Sequence, residues 1–184
     1  MTDYRKARPE MARARAREIL TQAGISKAPV PVERLIKKLS IVLRHEALDE
    51  DLSGMAYIQD DLSMIGINAS HHPNRQRFSA AHELGHHILH KDEITGTVHV
   101  DKGATRMLLR DESSSLGVDR LEIEANAFAS ELLMPKKLLI AEMGGVPIDV
   151  EDDRQVDDLA KKFKVSTHAM RLRLLGLLSE QLTS

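Results

Sequence analysis

The chain of 184 residues contains no cysteine. That excludes disulfides, thiolate zinc sites and iron–sulfur ligation, and it suits a reducing compartment. Aromatic residues make up 3% and tryptophan is missing, so a core must be assembled from Leu, Ile, Val, Met and Ala. Neither sign of charge dominates: the formal net charge is −2, and no overall field draws the protein to nucleic acid or to an anionic membrane. No apolar run approaches the length of a bilayer span, and "MTDYRKARPEMARARAREIL" has no apolar centre of the kind a signal peptide needs. These features predict a soluble, cytoplasmic protein with one good core and at most a small appendage.

What the chain does have is clustered histidine. Nine are present, and four fall in "RFSAAHELGHHILH", residues 77–90. Around this stretch, apolar period and punctuation predict helices over residues 9–23, 31–39 and 73–90, then 118–134 stopping at Pro135, and 136–143. Two more surround "FKVS" near the C-terminus. "IVLRHEA", "GMAYIQ" and "SMIGINAS" read as an antiparallel meander of three short strands within residues 41–69. Residues 91–118 read as mixed and polar, with "DESSSLG" a loop.

His82, Glu83 and His86 spell H-E-x-x-H. On a helix, positions i and i+4 lie about 40° apart around the axis, so both imidazoles can reach one ion. Glu83 projects about 60° beyond His86, beside the ion rather than on it, where a general base stands to take a proton from activated water. The apolar residues of the same helix place both histidines at the border of the buried stripe. Gly85 falls within the stripe, and its small size permits close approach of the next layer. The bland reading is a helix whose histidines cap surface polar groups.

A catalytic zinc requires a third protein ligand and an open position. Asp92 stands at a spacing some H-E-x-x-H enzymes use, but Leu89 occupies the place of the glycine that would turn the chain. His90 lies on the same straight helix, and three ligands from one helix cannot surround an ion tetrahedrally. Glu122 and Glu124 remain, in the helix "VDRLEIEANAFASELLMP". Helical arithmetic puts Glu122 and Asn126 at the edge of that helix's apolar face, whereas Glu124 and Glu131 point away, towards solvent. Glu122 is therefore the expected third ligand, with Asn126 positioned to hold the far nitrogen of a zinc-bound histidine. The alternative for Glu122 is a first-turn acid favoured by the helix dipole.

Together "SGMAYIQ", "IGINASHHPNRQRFSAAHELGHHILH" and "EIEANAFASELLMP" resemble the ImmA/IrrE family of metallo-endopeptidases, from about residue 40 to 140 and more loosely beyond. The resemblance implies an α+β, zincin-like fold: a small antiparallel sheet packed on the HExxH helix, with a C-terminal helical pair. It implies Zn2+ on His82, His86 and Glu122, the last opening the family pattern E-x-x-A-N-x-F-A. It implies a domain over residues 1–145 with a helix-turn-helix-like segment, residues 146–184, packed on it. It also implies cleavage of a helix-turn-helix repressor, relieving repression of mobile-element, DNA-damage or defence genes. Tyr57, His71 and His72 are the candidates for stabilising the oxyanion, unranked. If "GMAYIQ" is a sheet edge, it could bind an extended substrate by strand addition.

Two other readings compete. "LAKKFKVSTHAMRLRLLGLL" has the look of a DNA-binding helix-turn-helix, weakened by Lys164 at the turn, by the acidic approach "EDDRQVDD" and by only two fixed charges, Arg171 and Arg173, on the second helix. The basic run from Arg5 to Arg17 suggests single-stranded DNA as an activating ligand, although Arg15 is turned away from Arg13 and Arg17. The whole chain could instead be a catalytically silent, antitoxin-like regulatory protein, against which the intact Glu83 speaks.

Overall fold

Punctuation in the sequence sets the helix ends. Helix α1 (Pro9–Gln22) opens on a proline, whose fixed φ suits the first turn, and is followed by Gly24 at a φ of 68°. Helix α2 (Val32–Lys38) is short and leads to strand β1 (Val42–Glu46). Strands β2 (Gly54–Gln59) and β3 (Leu62–Asn68) form a hairpin, and helix α3 (Pro73–Leu89) carries the histidines. A single turn, α4 (Lys91–Ile94), precedes strand β4 (Val98–Asp101). Helices α5 (Glu112–Leu133), α6 (Lys136–Met143), α7 (Asp153–Phe163) and α8 (Thr167–Leu182) complete the chain. The computed structural model describes residues 6–59, 62–96, 98–101, 112–145 and 149–182, of which 112–119 and 181–182 are described by backbone alone.

The sheet is mixed, not antiparallel throughout. Its order is β1-β3-β2-β4, with β1 parallel to β3 and both β3 and β4 antiparallel to β2. The tight hairpin forces β2 beside β3. The segment from residue 47 to 53 then passes the end of the sheet, so β1 lands on the far side of β3, running the same way. Asn68, fully buried, anchors that passage: its Nδ2 donates to the carbonyls of Leu48, Asp49 and Leu52 at 3.3, 3.1 and 2.8 Å. Strand β2 is consequently interior, and among the described residues the sheet's edges are β1 and β4. Peptide addition to "GMAYIQ" has no open edge to use.

Two further expectations are corrected. The backbone of residues 112–117 is helical, part of α5, where a loop was expected; extending a helix costs far less than starting one, so weak formers such as serine join a strong neighbour. Glu124 and Glu131 do not face solvent: they are 0% and 1% exposed. Helix α5 is covered on both sides, by α3 on one and by α1 and α8 on the other, and its "solvent" face meets cations instead. Arg173 reaches Glu131 and the Met134 carbonyl, and Arg17 stands 3.9 Å from Glu131.

One apolar cluster runs through α1, α2, β3, α3, α5, α7 and α8, with Phe128 and Phe163 among its fully buried side chains. Helices α3 and α5 pack directly against each other. A Cβ built on Gly85 would stand 3.2 Å from both the Ala125 Cα and Phe128 Cδ1, so no larger residue fits without moving α5's backbone. This contact brings the histidines and Glu122 within reach of one another. No described helix is long and apolar enough to cross a membrane.

Candidate metal centre

His82 and His86 occupy successive turns of α3, and both are buried, at 3% and 0% exposure. Their Nε2 atoms stand 3.1 Å apart. Across the α3–α5 contact, Glu122 brings Oε2 to 3.2 Å from His82 Nε2 and Oε1 to 3.8 Å from His86 Nε2. Ligand atoms about 2.0–2.1 Å from a tetrahedral ion lie roughly 3.3 Å from one another, so this triangle has the right edge length. The far nitrogens are engaged as metal ligands require: His82 Nδ1 lies 3.1 Å from Asn126 Oδ1, and His86 Nδ1 lies 3.2 Å from His90 Nδ1. The donor set fits a divalent cation of the zinc type.

Electrostatics agree. Burial alone would lower the pKa of His82, but Glu122, Glu83 and Asp101 together raise it to about 9. Burial would raise Glu122, yet hydrogen bonds from His82 and His99 hold it well below the ordinary carboxylate range. His86 is pushed well down by burial and by the neighbouring His82 and His99. The surrounding carboxylates favour positive charge at His82, and that charge disfavours a second one at His86.

Glu83 follows His82 on the helix and turns under the sheet. It is 0% exposed, and a Cβ on Gly54 of β2 would approach its Oε1 to 3.0 Å. Gly54 thus keeps room for that carboxylate. Of the other candidates, Tyr57 alternates to the opposite face of β2 from Gly54 and donates to Gln59. His71 meets the Glu50 carbonyl at 3.2 Å, and His72 caps α3 by accepting from Asn74 N–H at 3.2 Å. His72 precedes His82 by about 15 Å of helix. None of the three reaches the centre. Asp92 lies on α4 outside the cluster of possible ligands, whereas His90 and Glu124 stand behind it.

Sequence reasoning missed β4. Its register sets His99 opposite Ala56 and Asp101 opposite Gly54, so both side chains share the sheet face that covers α3. His99 Nε2 stands 3.2 Å from Glu122 Oε1, and its ring centroid is 4.0 Å from that of His86. Asp101 lies close enough to His82 and Glu83 for the three to form a second possible ligand group. The alternating, β-branched "VHVD" was the available signal, hidden in a stretch read as polar and irregular.

The arginines offered for nucleic acid are occupied. Arg13 and Arg17 contact Glu10 at 2.9 and 3.3 Å, and Arg15 pairs with Glu18. Arg171 pairs with Asp153, and Arg173 is buried on Glu131. Arg5 lies outside the described residues.

A helix-borne histidine pair and glutamate, facing a carboxylate from a second helix beneath a small mixed sheet, defines a candidate metallopeptidase centre of the H-E-x-x-H class. The chain belongs to the Peptidase_M78 family, described as the IrrE N-terminal-like domain, whose model matches residues 36–175; it is a family of metallopeptidases linked to regulators of transcription. The chain is 27% identical over 152 residues to an "Uncharacterized immunity region protein 2" of Bacillus phage phi105, covering 70% of this chain and 89% of that protein. It is also similar in fold to a solved "Mycobacterium tuberculosis transcriptional regulator", at a TM-score of 0.56 and 16% identity. That match covers 88% of this chain but 45% of the regulator, so the chain spans under half of that protein's length.

Proposed function

We propose that the chain is a zinc-dependent, site-specific endopeptidase whose substrate is a helix-turn-helix transcriptional repressor. The observation that carries the reading is the convergence of His82 Nε2, His86 Nε2 and the Glu122 carboxylate within ligand distance, with Glu83 beside them. His82, His86 and Glu122 would hold the ion; Zn2+ bound there would supply Lewis acidity towards water and the scissile carbonyl.

The protein's own residues do the rest. Glu83 accepts the proton of the attacking water and later passes it to the leaving amine nitrogen. Its burial beneath Gly54 keeps the carboxylate aimed and shields it from bulk solvent. Asn126 orients His82 through Nδ1. His99, reaching in from β4, is the side chain best placed to donate to the carbonyl oxygen as charge develops there, the role for which Tyr57, His71 and His72 are badly sited. Because β2 is interior, an extended peptide would add to β4, the edge that carries His99. Residues 1–145 form the catalytic part in this proposal, and 146–184 its helical support.

The repressor as substrate draws on the family and on the phage immunity-region relative. Single-stranded DNA as an activating ligand would have to draw the α1 arginines from exposed pairs with Glu10 and Glu18, which are individually weak. A silent, antitoxin-like binding role is the second reading, favoured by the complete burial of Glu83. The Glu83→Gln variant separates the two: it should bind zinc and retain an uncut repressor, while wild type releases fragments. Uncut repressor with wild type as well, under zinc-replete conditions, would favour the silent reading.

A further inference from the structure

The atoms behind the candidate ligands carry a further inference, which rests on the reading that His86 binds the cation. If His86 offers Nε2 to an ion, its proton sits on Nδ1 and needs an acceptor. The atom it meets is His90 Nδ1, at 3.2 Å. A contact between two ring nitrogens uses one proton, so His90 Nδ1 must carry the lone pair and His90's own proton must lie on Nε2. There it meets Glu124 Oε2 at 2.9 Å. Glu124 is fixed in turn: Arg8 N–H donates to Oε1 at 2.8 Å, and Arg120 stands 3.3 Å from Oε2. His86, His90 and Glu124 are all at most 1% exposed, which leaves water no place to substitute for a lost partner.

We propose that His90 and Glu124 form an ordered hydrogen-bond relay that sets the tautomer of His86, making them positioning residues for the cation. The order comes from the Glu124 end. An ionised carboxylate only accepts, so His90 Nε2 donates, His90 Nδ1 accepts, His86 Nδ1 donates, and His86 Nε2 is left with its lone pair. An amide at position 124 has an N–H2 that can donate to His90 Nε2. That reverses the line and puts a proton on His86 Nε2, the atom the ion needs. His82 is oriented differently, by the amide of the exposed Asn126, so the two ligands depend on separate devices.

The test uses the full chain and three readouts: zinc affinity by competition with a chromophoric chelator, the visible spectrum of the cobalt(II) form, and the thermal midpoint without metal. Glu124→Gln and His90→Leu should each weaken zinc binding by about 10–100-fold and alter the cobalt spectrum. His90→Gln, whose amide can accept from His86 and donate to Glu124, should stay within about threefold of wild type. Glu131→Gln, which breaks the other buried acid pair of α5, should lower the metal-free midpoint while leaving zinc affinity unchanged; this accounts for loss of packing alone. Wild-type affinity in both Glu124→Gln and His90→Leu would overturn the relay and leave the metal site standing, as would His90→Gln failing as badly as His90→Leu. A wild-type chain that binds no zinc would overturn the relay together with the reading beneath it.

Discussion

Helix α5 presents carboxylates on two opposite sides, and they serve different ends. On the side facing α3, Glu122 is 21% exposed and meets imidazole nitrogens of His82, His86 and His99, whose charge depends on protonation. On the other side, Glu131 is buried against Arg173, with Arg17 nearby, a pair whose charges already cancel. The first arrangement converges nitrogen and oxygen donors on one point, as a cation site does. The second is complete without one. Glu122, among imidazoles, is therefore a reason to look for metal, and Glu131, paired with arginine, is a reason to look for stability.

The comparison breaks most visibly at Glu83 and Glu122. Replacing Glu83 by Gln should cut peptide cleavage by about 10²–10⁴-fold with zinc retained, read as turnover of the identified repressor and as zinc per chain. Replacing Glu122 by Ala should lower zinc affinity by more than about 10²-fold, beyond the usual cost of losing an outer partner, and should also lower the metal-free midpoint below about pH 9 by removing the carboxylate that stabilises protonated His82. Equal zinc content in the Glu122 variant and wild type would erase the distinction between the two sides.

On the far side, Glu131→Ala should destabilise the fold by about 3–5 kcal/mol in denaturant titration, because it strands the Arg173 guanidinium in the interior. Zinc per folded chain should not change. Between the sides, Gly85→Ala should cost about 1–3 kcal/mol by wedging α3 from α5, and it should also loosen the metal, since the same contact spaces Glu122 from the histidines.

The last effect is the slope of stability with pH. His82 in the metal-free protein has a pKa raised from its ordinary value to about 9. A raised folded-state pKa gives stability that is fully present below the unfolded value near 6.5 and is lost as pH rises through about 9. Metal-free protein should therefore become less stable across that interval. Zinc-loaded protein should show the opposite trend at the acid end, because protons compete with the ion for the same nitrogens. Thermal midpoints from pH 6 to about 9.5, with and without chelator, check both signs.

The helices and the convergence of the candidate ligands were legible because they depend on local period: His82, His86 and Glu122 each sit where one helix's apolar face meets its polar face. The close α3–α5 approach was legible from Gly85 alone. What escaped notice depends on how elements stack. A helical wheel describes one neighbour, so Glu124 and Glu131 were assigned to solvent when α1 and α8 cover that side with arginines and a peptide N–H. Strand order escaped for a similar reason: the hairpin determines that β2 lies beside β3, but nothing local says that β1 passes to the far side. His99 went unnoticed because four residues of alternating "VHVD" are too few to stand out from polar surroundings.

The most direct test of the central claim is an anomalous-difference map at the zinc absorption edge, from crystals of the protein purified without chelator. The account predicts one strong peak per chain, with His82 Nε2, His86 Nε2 and a Glu122 oxygen at roughly 2.0–2.2 Å. A peak held by other residues with Glu122 turned away, or no peak from crystals grown with stoichiometric zinc, would contradict it.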